Sequence, residues 1–120
     1  MALSVAELAN AGKMEEGLLH PELVVPSVPG VAPAPGFSGM DGIRRYFREA
    51  AAHNFLAQAA LRAAHVTEAG NVFASGSLIC TVSGHTEEFP AWFVYRFRDQ
   101  LVSAIETYID EDAAREAAAR

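Results

Sequence analysis

Residues 87–110 decide the fold of this chain, and they read EEFPAWFVYRFRDQLVSAIETYID. Two runs rich in aromatic and β-branched residues flank Asp99-Gln100, which is the pattern of two strands joined by a tight turn. If these two residues form the loop of a hairpin, Arg98 lies opposite Leu101. Side chains then alternate strictly between the two faces of the hairpin, unless a bulge intervenes.

Unbroken alternation gives the hairpin two faces of different chemistry. One face is aromatic and apolar, with acidic and phenolic groups at its far end: Phe89, Ala91, Phe93, Tyr95, Phe97, Val102, Ala104, Glu106, Tyr108 and Asp110. The other face is apolar through its middle and charged at the turn: Pro90, Trp92, Val94, Arg96, Arg98, Leu101, Ser103, Ile105, Thr107 and Ile109. Because both faces are part-apolar, both need cover from other elements.

The rest of the chain predicts helices and further strands around this hairpin. The expected elements are a helical segment over 3–19 broken at Gly12, a short strand over 23–25, a Pro- and Gly-rich loop over 26–39, a helix to about Phe55 that begins at a capping box formed by Ser38 and Asp41, strands over 61–68 and 72–82, and a short helix after Asp110. This order predicts an α+β fold with a curved antiparallel sheet and helices packed on its concave face.

Composition restricts the class of protein. The 120 residues suffice for one domain over residues 1–120, and the net charge of −6 without a basic cluster argues against nucleic acid as a partner. The single cysteine excludes an intrachain disulfide. No apolar run approaches the ~20 residues of a membrane-spanning helix, and no signal peptide is recognisable. We therefore expect a soluble cytoplasmic protein without membrane contacts.

Several short motifs, in order, resemble the SnoaL-like branch of the NTF2-like superfamily. They are Asn10-Ala11-Gly12, His20-Pro21-Glu22, Gly39-Met40-Asp41-Gly42-Ile43, Ala69-Gly70-Asn71-Val72, Tyr95-Arg96-Phe97-Arg98-Asp99 and Tyr108-Ile109-Asp110. The resemblance implies a cone-shaped α+β domain with an apolar pocket, and in many relatives a homodimer. It does not imply one activity, because polyketide cyclases, ketosteroid isomerases, limonene-epoxide hydrolases, dehydratases and non-catalytic binders share this fold.

The chain lacks the residues that the resemblance would assign to steroid isomerisation. The general-base Asp of that branch corresponds to the neighbourhood of Val25-Pro26-Ser27, which has no carboxylate. Phe93 stands where its oxyanion-hole Asp would be, and Val5 lies near the position of its Tyr. For the epoxide hydrolases and the polyketide cyclases, Asp110 is the nearest counterpart of a catalytic Asp, while Arg96 falls on the face opposite the expected pocket.

Three polar residues on the expected pocket face are the candidates for acid/base catalysis: Glu106, Tyr108 and Asp110. A carboxylate beside Phe93 and Tyr95 would be desolvated, which raises its pKa and suits general acid/base chemistry. The alternatives are that a bulge shifts the strand and leaves Glu106 solvated, that Asp110 caps the C-terminal helix, and that Tyr108 simply packs at the rim.

The predicted substrate-binding residues are mostly aromatic: Phe47, His65, Phe89, Phe93, Tyr95, Phe97 and Val102. For His65 the alternative is a neutral histidine packed in the core. The spacing of the four histidines does not suggest a metal site, and we expect no cofactor.

We thus predict a cofactor-independent protein with a pocket for a hydrophobic small molecule, and leave open whether it is an enzyme. Isomerisation, cyclisation, dehydration and epoxide opening all fit an enzyme of this kind, whereas the alternative is a non-catalytic binding or dimerisation module. Trp92, Val94 and Ile105 on the outer face predict an apolar patch through which the protein forms a homodimer.

Overall fold

The computed structural model describes residues 19–25, 37–52 and 55–120. Its elements are β1 (Leu19–Val25), β2 (Phe37–Ser38), α1 (Gly39–Ala52), β3 (Phe55–Val66), β4 (Val72–Val82), β5 (His85–Arg98), β6 (Leu101–Tyr108) and α2 (Glu111–Ala118). The predicted helical segment over residues 3–19, except for Leu19, and most of the predicted loop, residues 26–36, lie outside the described residues.

The six strands form one mixed sheet in the order β2-β1-β6-β5-β4-β3. Strands β3 to β6 make the antiparallel meander that the sequence predicts. Strand β1 pairs in parallel with β6 and antiparallel with β2, so the first strand is not at the sheet edge. The fold is therefore a mostly-sheet α+β fold whose sheet is not purely antiparallel, contrary to expectation.

Several element boundaries differ from the prediction. Strand β3 begins at Phe55 rather than Leu61, and α1 ends at Ala52. The first half of β3 is rich in alanine, a residue of weak strand preference, but its backbone pairs continuously with β4 from Phe55 to Leu61. Strand β1 begins at Leu19, which the sequence pattern places in a helix.

Gly76 lies within β4, where a glycine predicts a bend or a bulge, and it marks an irregular point in the sheet. The register of β3 against β4 shifts between Leu61 and Ala63, opposite this glycine. A Cβ atom at position 76 would lie 1.9 Å from the backbone oxygen of Ala60. Only glycine therefore allows the two strands to approach so closely here.

Each face of the sheet carries its own apolar cluster. The first face, called the Phe93 face, buries Leu23, Val72, Leu78, Ala91, Phe93, Tyr95, Val102 and Ile105 among others, with Met40 of α1 packed against them. The second, called the Trp92 face, packs Phe73 and Val94 against Ala114, Ala117 and Ala118 of α2, with Trp92 and Tyr108 at the margin. The two described helices thus lie on opposite faces, so the expectation that the helices gather on one face is wrong for α2.

Candidate functional site

A bulge at Ser103 decides where the candidate acids lie. Arg98 pairs with Leu101 and Phe97 with Val102, as predicted, and the turn residues Asp99 and Gln100 both have positive φ. Beyond them the register shifts by one residue, because Arg96 pairs with Ala104 and leaves Ser103 without a partner.

The shift moves two candidate catalytic residues to the Trp92 face. Glu106 pairs with Val94 and Tyr108 with Trp92, while Thr107 lies opposite Phe93. The prediction that Glu106 faces Phe93 in an apolar pocket is therefore wrong, and the alternative of a bulge is correct. Glu106 is not solvated, however, because its side chain is only 19% exposed.

Glu106 belongs to an ionic network instead of a pocket. Nε of Arg96 donates a hydrogen bond to its carboxylate at 2.6 Å, and the Tyr108 hydroxyl donates another at 2.7 Å. Burial alone would raise the pKa of Glu106, but these hydrogen bonds and the charge of Arg96 hold it below its usual range. A carboxylate held ionised in this way is a poor general acid and a weak general base at neutral pH.

Tyr108 is fixed by the same network. Burial, followed by the hydrogen bond to Glu106, raises the pKa of Tyr108 to about 12. The phenol therefore stays protonated at neutral pH and donates to Glu106. Its role in the described structure is to orient that carboxylate.

The network also anchors the last turn of α2. A second nitrogen of Arg96 donates to the backbone oxygen of Ala117 at 3.0 Å, and the side chains of Thr67 and Asn71 donate to that of Ala118 at 3.0 and 3.1 Å. These bonds satisfy carbonyl groups that a helix C-terminus leaves without partners. The helix is thereby fixed over Phe73 and Val94.

Asp110 caps the N-terminus of α2. Its backbone is extended and its carboxylate accepts a hydrogen bond from the Ala113 amide at 3.1 Å. The structure thus shows the capping role that the sequence offers as the alternative to catalysis by Asp110.

We expect Asp110→Ala to lower the free energy of unfolding by about 1 kcal/mol, because the mutation removes the N-cap. Urea denaturation followed by Trp92 fluorescence measures it. Asp110→Ser should recover most of the loss, since serine is also a good N-cap. A full loss with serine would show that the cap is not what Asp110 contributes.

The predicted substrate-binding residues are divided between the core and the other face. Phe93, Tyr95 and Val102 are buried on the Phe93 face, and Phe89 and Phe97 pack partly buried beside them. Burial raises the pKa of Tyr95 far above its usual value. Phe47 lies in α1, but its side chain is outside the described part of the chain.

His65 is placed differently from both sequence expectations. It lies on the Trp92 face, opposite Phe73 in the neighbouring strand, and its side chain is exposed rather than buried in the core. Its ring contacts that of Phe73 at a centroid distance of 5.5 Å. It is therefore not part of the cluster that contains Phe93.

The predicted dimerisation patch is not an exposed apolar surface. Val94 is fully buried under α2, Trp92 packs against the same cluster, and Ile105 is buried on the Phe93 face. The bulge at Ser103 separates Ile105 from the other two. The homodimer itself stays a prediction.

His20 is buried and contacts Glu22 and Arg98, a cluster of polar side chains that the sequence does not predict. Nδ1 of His20 accepts a hydrogen bond from the Glu22 amide at 3.0 Å, and Nε of Arg98 lies 3.1 Å from its Nε2. Arg98 also pairs with Glu22. Because 78 residues separate His20 from Arg98, no local pattern could have indicated this contact, which joins β1 to the end of the hairpin.

The described residues supply little else for chemistry. Across them, no three His, Cys, Asp or Glu side chains are grouped so that they could hold a metal ion. Burial, and then the charge of Glu87, raises the pKa of the Cys80 thiol, which disfavours a reactive thiolate. None of the described helices is long and apolar enough to cross a membrane.

Comparison with known proteins identifies the fold. No protein-family model matches the chain, and no curated protein matches it in sequence. Among solved structures, an LEH-like epoxide hydrolase from M. tuberculosis is similar with a TM-score of 0.63 at 14% identity, over 93% of this chain and 84% of that one. TerC, co-crystallised with polyporic acid, is similar with a TM-score of 0.63 at 16% identity, over 96% of this chain and 92% of that one.

A third similar structure is an NTF2-like protein of unknown function from Burkholderia pseudomallei. Its TM-score is 0.60 at 16% identity, over 84% of this chain and 77% of that one. The chain therefore has the NTF2-like fold, as the motif resemblance predicted. Proteins of this fold differ in activity, so the fold alone does not assign one.

Proposed function

We propose that the protein is a non-catalytic module that binds an apolar small molecule against the Phe93 face. The observation that carries this proposal is the division of chemistry between the two faces. The described side chains buried on the Phe93 face are apolar apart from the hydroxyl of Tyr95. The three candidate catalytic groups are engaged on the Trp92 face or at the start of α2.

The fold supports a pocket on this face. In the proposed arrangement the sheet curves around the Phe93 face into a cone, and α1 covers part of it through Met40. Ligand pockets are mostly lined by apolar and aromatic side chains with few polar groups. A similar structure, TerC, was co-crystallised with polyporic acid.

The rival function is acid/base catalysis on a hydrophobic substrate, which Glu106 and Asp110 would perform. A carboxylate in an ion pair with Arg96 would have to lose that partner before it could accept or deliver a proton at a substrate. Catalysis would also require the substrate to reach the face that α2 covers. The geometry therefore favours binding without catalysis.

Two alanines of β3 provide a matched test of the binding face. Ala64 packs against the cluster of the Phe93 face, whereas Ala63 is exposed on the Trp92 face. We expect the wild type to bind the neutral dye Nile red saturably, with one site per chain. Ala64→Phe should weaken this binding at least about tenfold by filling space at the face, and Ala63→Phe should leave it within about twofold.

Thermal melts of both variants would show that they are folded. Equal effects of the two substitutions would contradict a site on the Phe93 face. Glu106→Gln and Asp110→Asn separate the two functions, because a binder keeps its affinity for the dye in both folded variants. Loss of turnover of an epoxide or enone substrate in these variants, with binding intact, would establish catalysis instead.

A further inference from the structure

A cavity lies on the Trp92 face, away from the pocket proposed for the Phe93 face. Its volume is about 290 Å³, and it lies between the turn that joins β3 to β4 and the last turn of α2. It is lined by His65, Thr67, Glu68, Ala69, Phe73, Arg115, Ala118 and Ala119. This volume is near the lower end of the range for small-molecule sites, so a ligand here would be small.

The base of the cavity is held in place by aromatic and polar contacts. Phe73 is almost fully buried, and it contacts the His65 ring on one side and the Arg115 guanidinium at 4.9 Å from its ring centre. Thr67 and Asn71 fix the backbone of Ala118 by hydrogen bonds. The walls are therefore supported by side chains from three elements, and the exposed ring of His65 offers a flat surface to a ligand.

The charges around the cavity leave one carboxylate uncompensated. Arg115 forms an ion pair with Glu111 at 2.6 Å, and Arg120 with Glu116 at 3.5 Å, so these four charges cancel in pairs. Glu68 is exposed and has no hydrogen bond or ion pair to any residue that the structure describes. The whole chain carries a net charge of −6, which also favours a cationic ligand.

We propose that this cavity binds a small organic cation, namely a protonated amine attached to a flat apolar group. The ammonium group pairs with the carboxylate of Glu68, and the apolar group lies between the His65 ring and Ala119. An anion is disfavoured because Arg115 is already neutralised by Glu111 and Glu68 would repel it. The proposal does not depend on binding at the Phe93 face.

Three probes of one shape and different charge test this site: benzylammonium, benzyl alcohol and benzoate. We expect benzylammonium to bind with a Kd on the order of 1 mM, as befits so small a ligand. In two-dimensional ¹H–¹⁵N spectra the shifts should be confined to residues 65–73 and 115–119. Benzyl alcohol should bind more weakly, and benzoate should cause no saturable shift.

Two variants and one control locate the site. Glu68→Gln should weaken benzylammonium binding about fivefold, which is the expected scale for a partly exposed ion pair. Ala119→Trp should abolish binding by filling the cavity. The matched control Glu88→Gln removes an exposed carboxylate of β5 that does not line the cavity, and it should leave the Kd unchanged. Benzoate binding as tightly as benzylammonium, an unchanged Kd in Glu68→Gln, or shifts elsewhere in the chain would each overturn the proposal.

Discussion

Arg96→Met should lower the free energy of unfolding by about 2–3 kcal/mol. The substitution keeps an unbranched side chain but removes the partner of Glu106, whose side chain is 19% exposed, and the hydrogen bond to the Ala117 oxygen. Removing one member of a fully buried ion pair costs about 3–5 kcal/mol because the other charge stays buried without a partner. The loss expected for Arg96→Met is smaller than this because the side chain of Arg96 is 27% exposed.

The pH dependence of stability should change with this substitution. In the wild type the pKa of Glu106 is lower in the folded than in the unfolded chain, so the unfolded chain takes up the proton first as the pH falls. This contribution is complete above the ordinary glutamate pKa of about 4.3 and is lost as the pH falls through the lower folded value. In Arg96→Met the arginine no longer lowers the pKa of Glu106, while burial still raises it. The loss of stability on acidification should therefore be smaller in this variant than in the wild type.

Urea denaturation at pH 7, 5, 4 and 3, followed by the fluorescence of Trp92, measures both effects. The double variant Arg96→Met/Glu106→Leu should recover at least half of the loss, because no charge is then left buried. Arg62→Met is the control, since Arg62 is exposed in β3 and is not part of the network. Equal stabilities of Arg96→Met and Arg62→Met would contradict an energetic role for the network.

The sequence predicts the hairpin turn but not the register beyond it. Asp99-Gln100 separates two runs of strand-forming residues, and the structure confirms the pairs nearest the turn. The serine at position 103 does not predict a bulge, because serine occurs both at paired positions of a strand and at bulges. An error of one residue moves every later side chain to the other face, so unbroken alternation places both Glu106 and Ile105 on the wrong faces.

Residues close together in the chain predict a helix cap and an irregular strand pairing, whereas no short pattern predicts a contact between residues far apart in the sequence. Asp110 before an alanine-rich segment indicates an N-cap, and Gly76 within a strand indicates an irregular pairing; the structure contains both. The bond between Arg96 and the Ala117 oxygen depends on how α2 packs on the sheet. No spacing along the chain predicts this packing, so the ionic network was not recognised.

Phe93→Ala should lower the free energy of unfolding by about 4 kcal/mol. Phe93 is 1% exposed and lies between Ala74 and Thr107 of the neighbouring strands, within the main apolar cluster. Replacing a buried phenylalanine by alanine removes its transfer free energy and leaves a cavity, which together cost about 3–5 kcal/mol. Equilibrium urea denaturation at 25 °C gives the value directly.

Two further substitutions, Phe89→Ala and Phe93→Asp, provide the comparisons that make this result specific. Phe89→Ala changes the same residue type on the same face of β5, but its side chain is only partly buried, so its cost should be about 1–2 kcal/mol. Phe93→Asp should prevent folding at neutral pH, because the new carboxylate would be buried among the apolar side chains of this cluster. If Phe93→Asp folded with nearly wild-type stability, Phe93 would face solvent, and both the Phe93 face as a core and the binding site proposed on it would have to be abandoned.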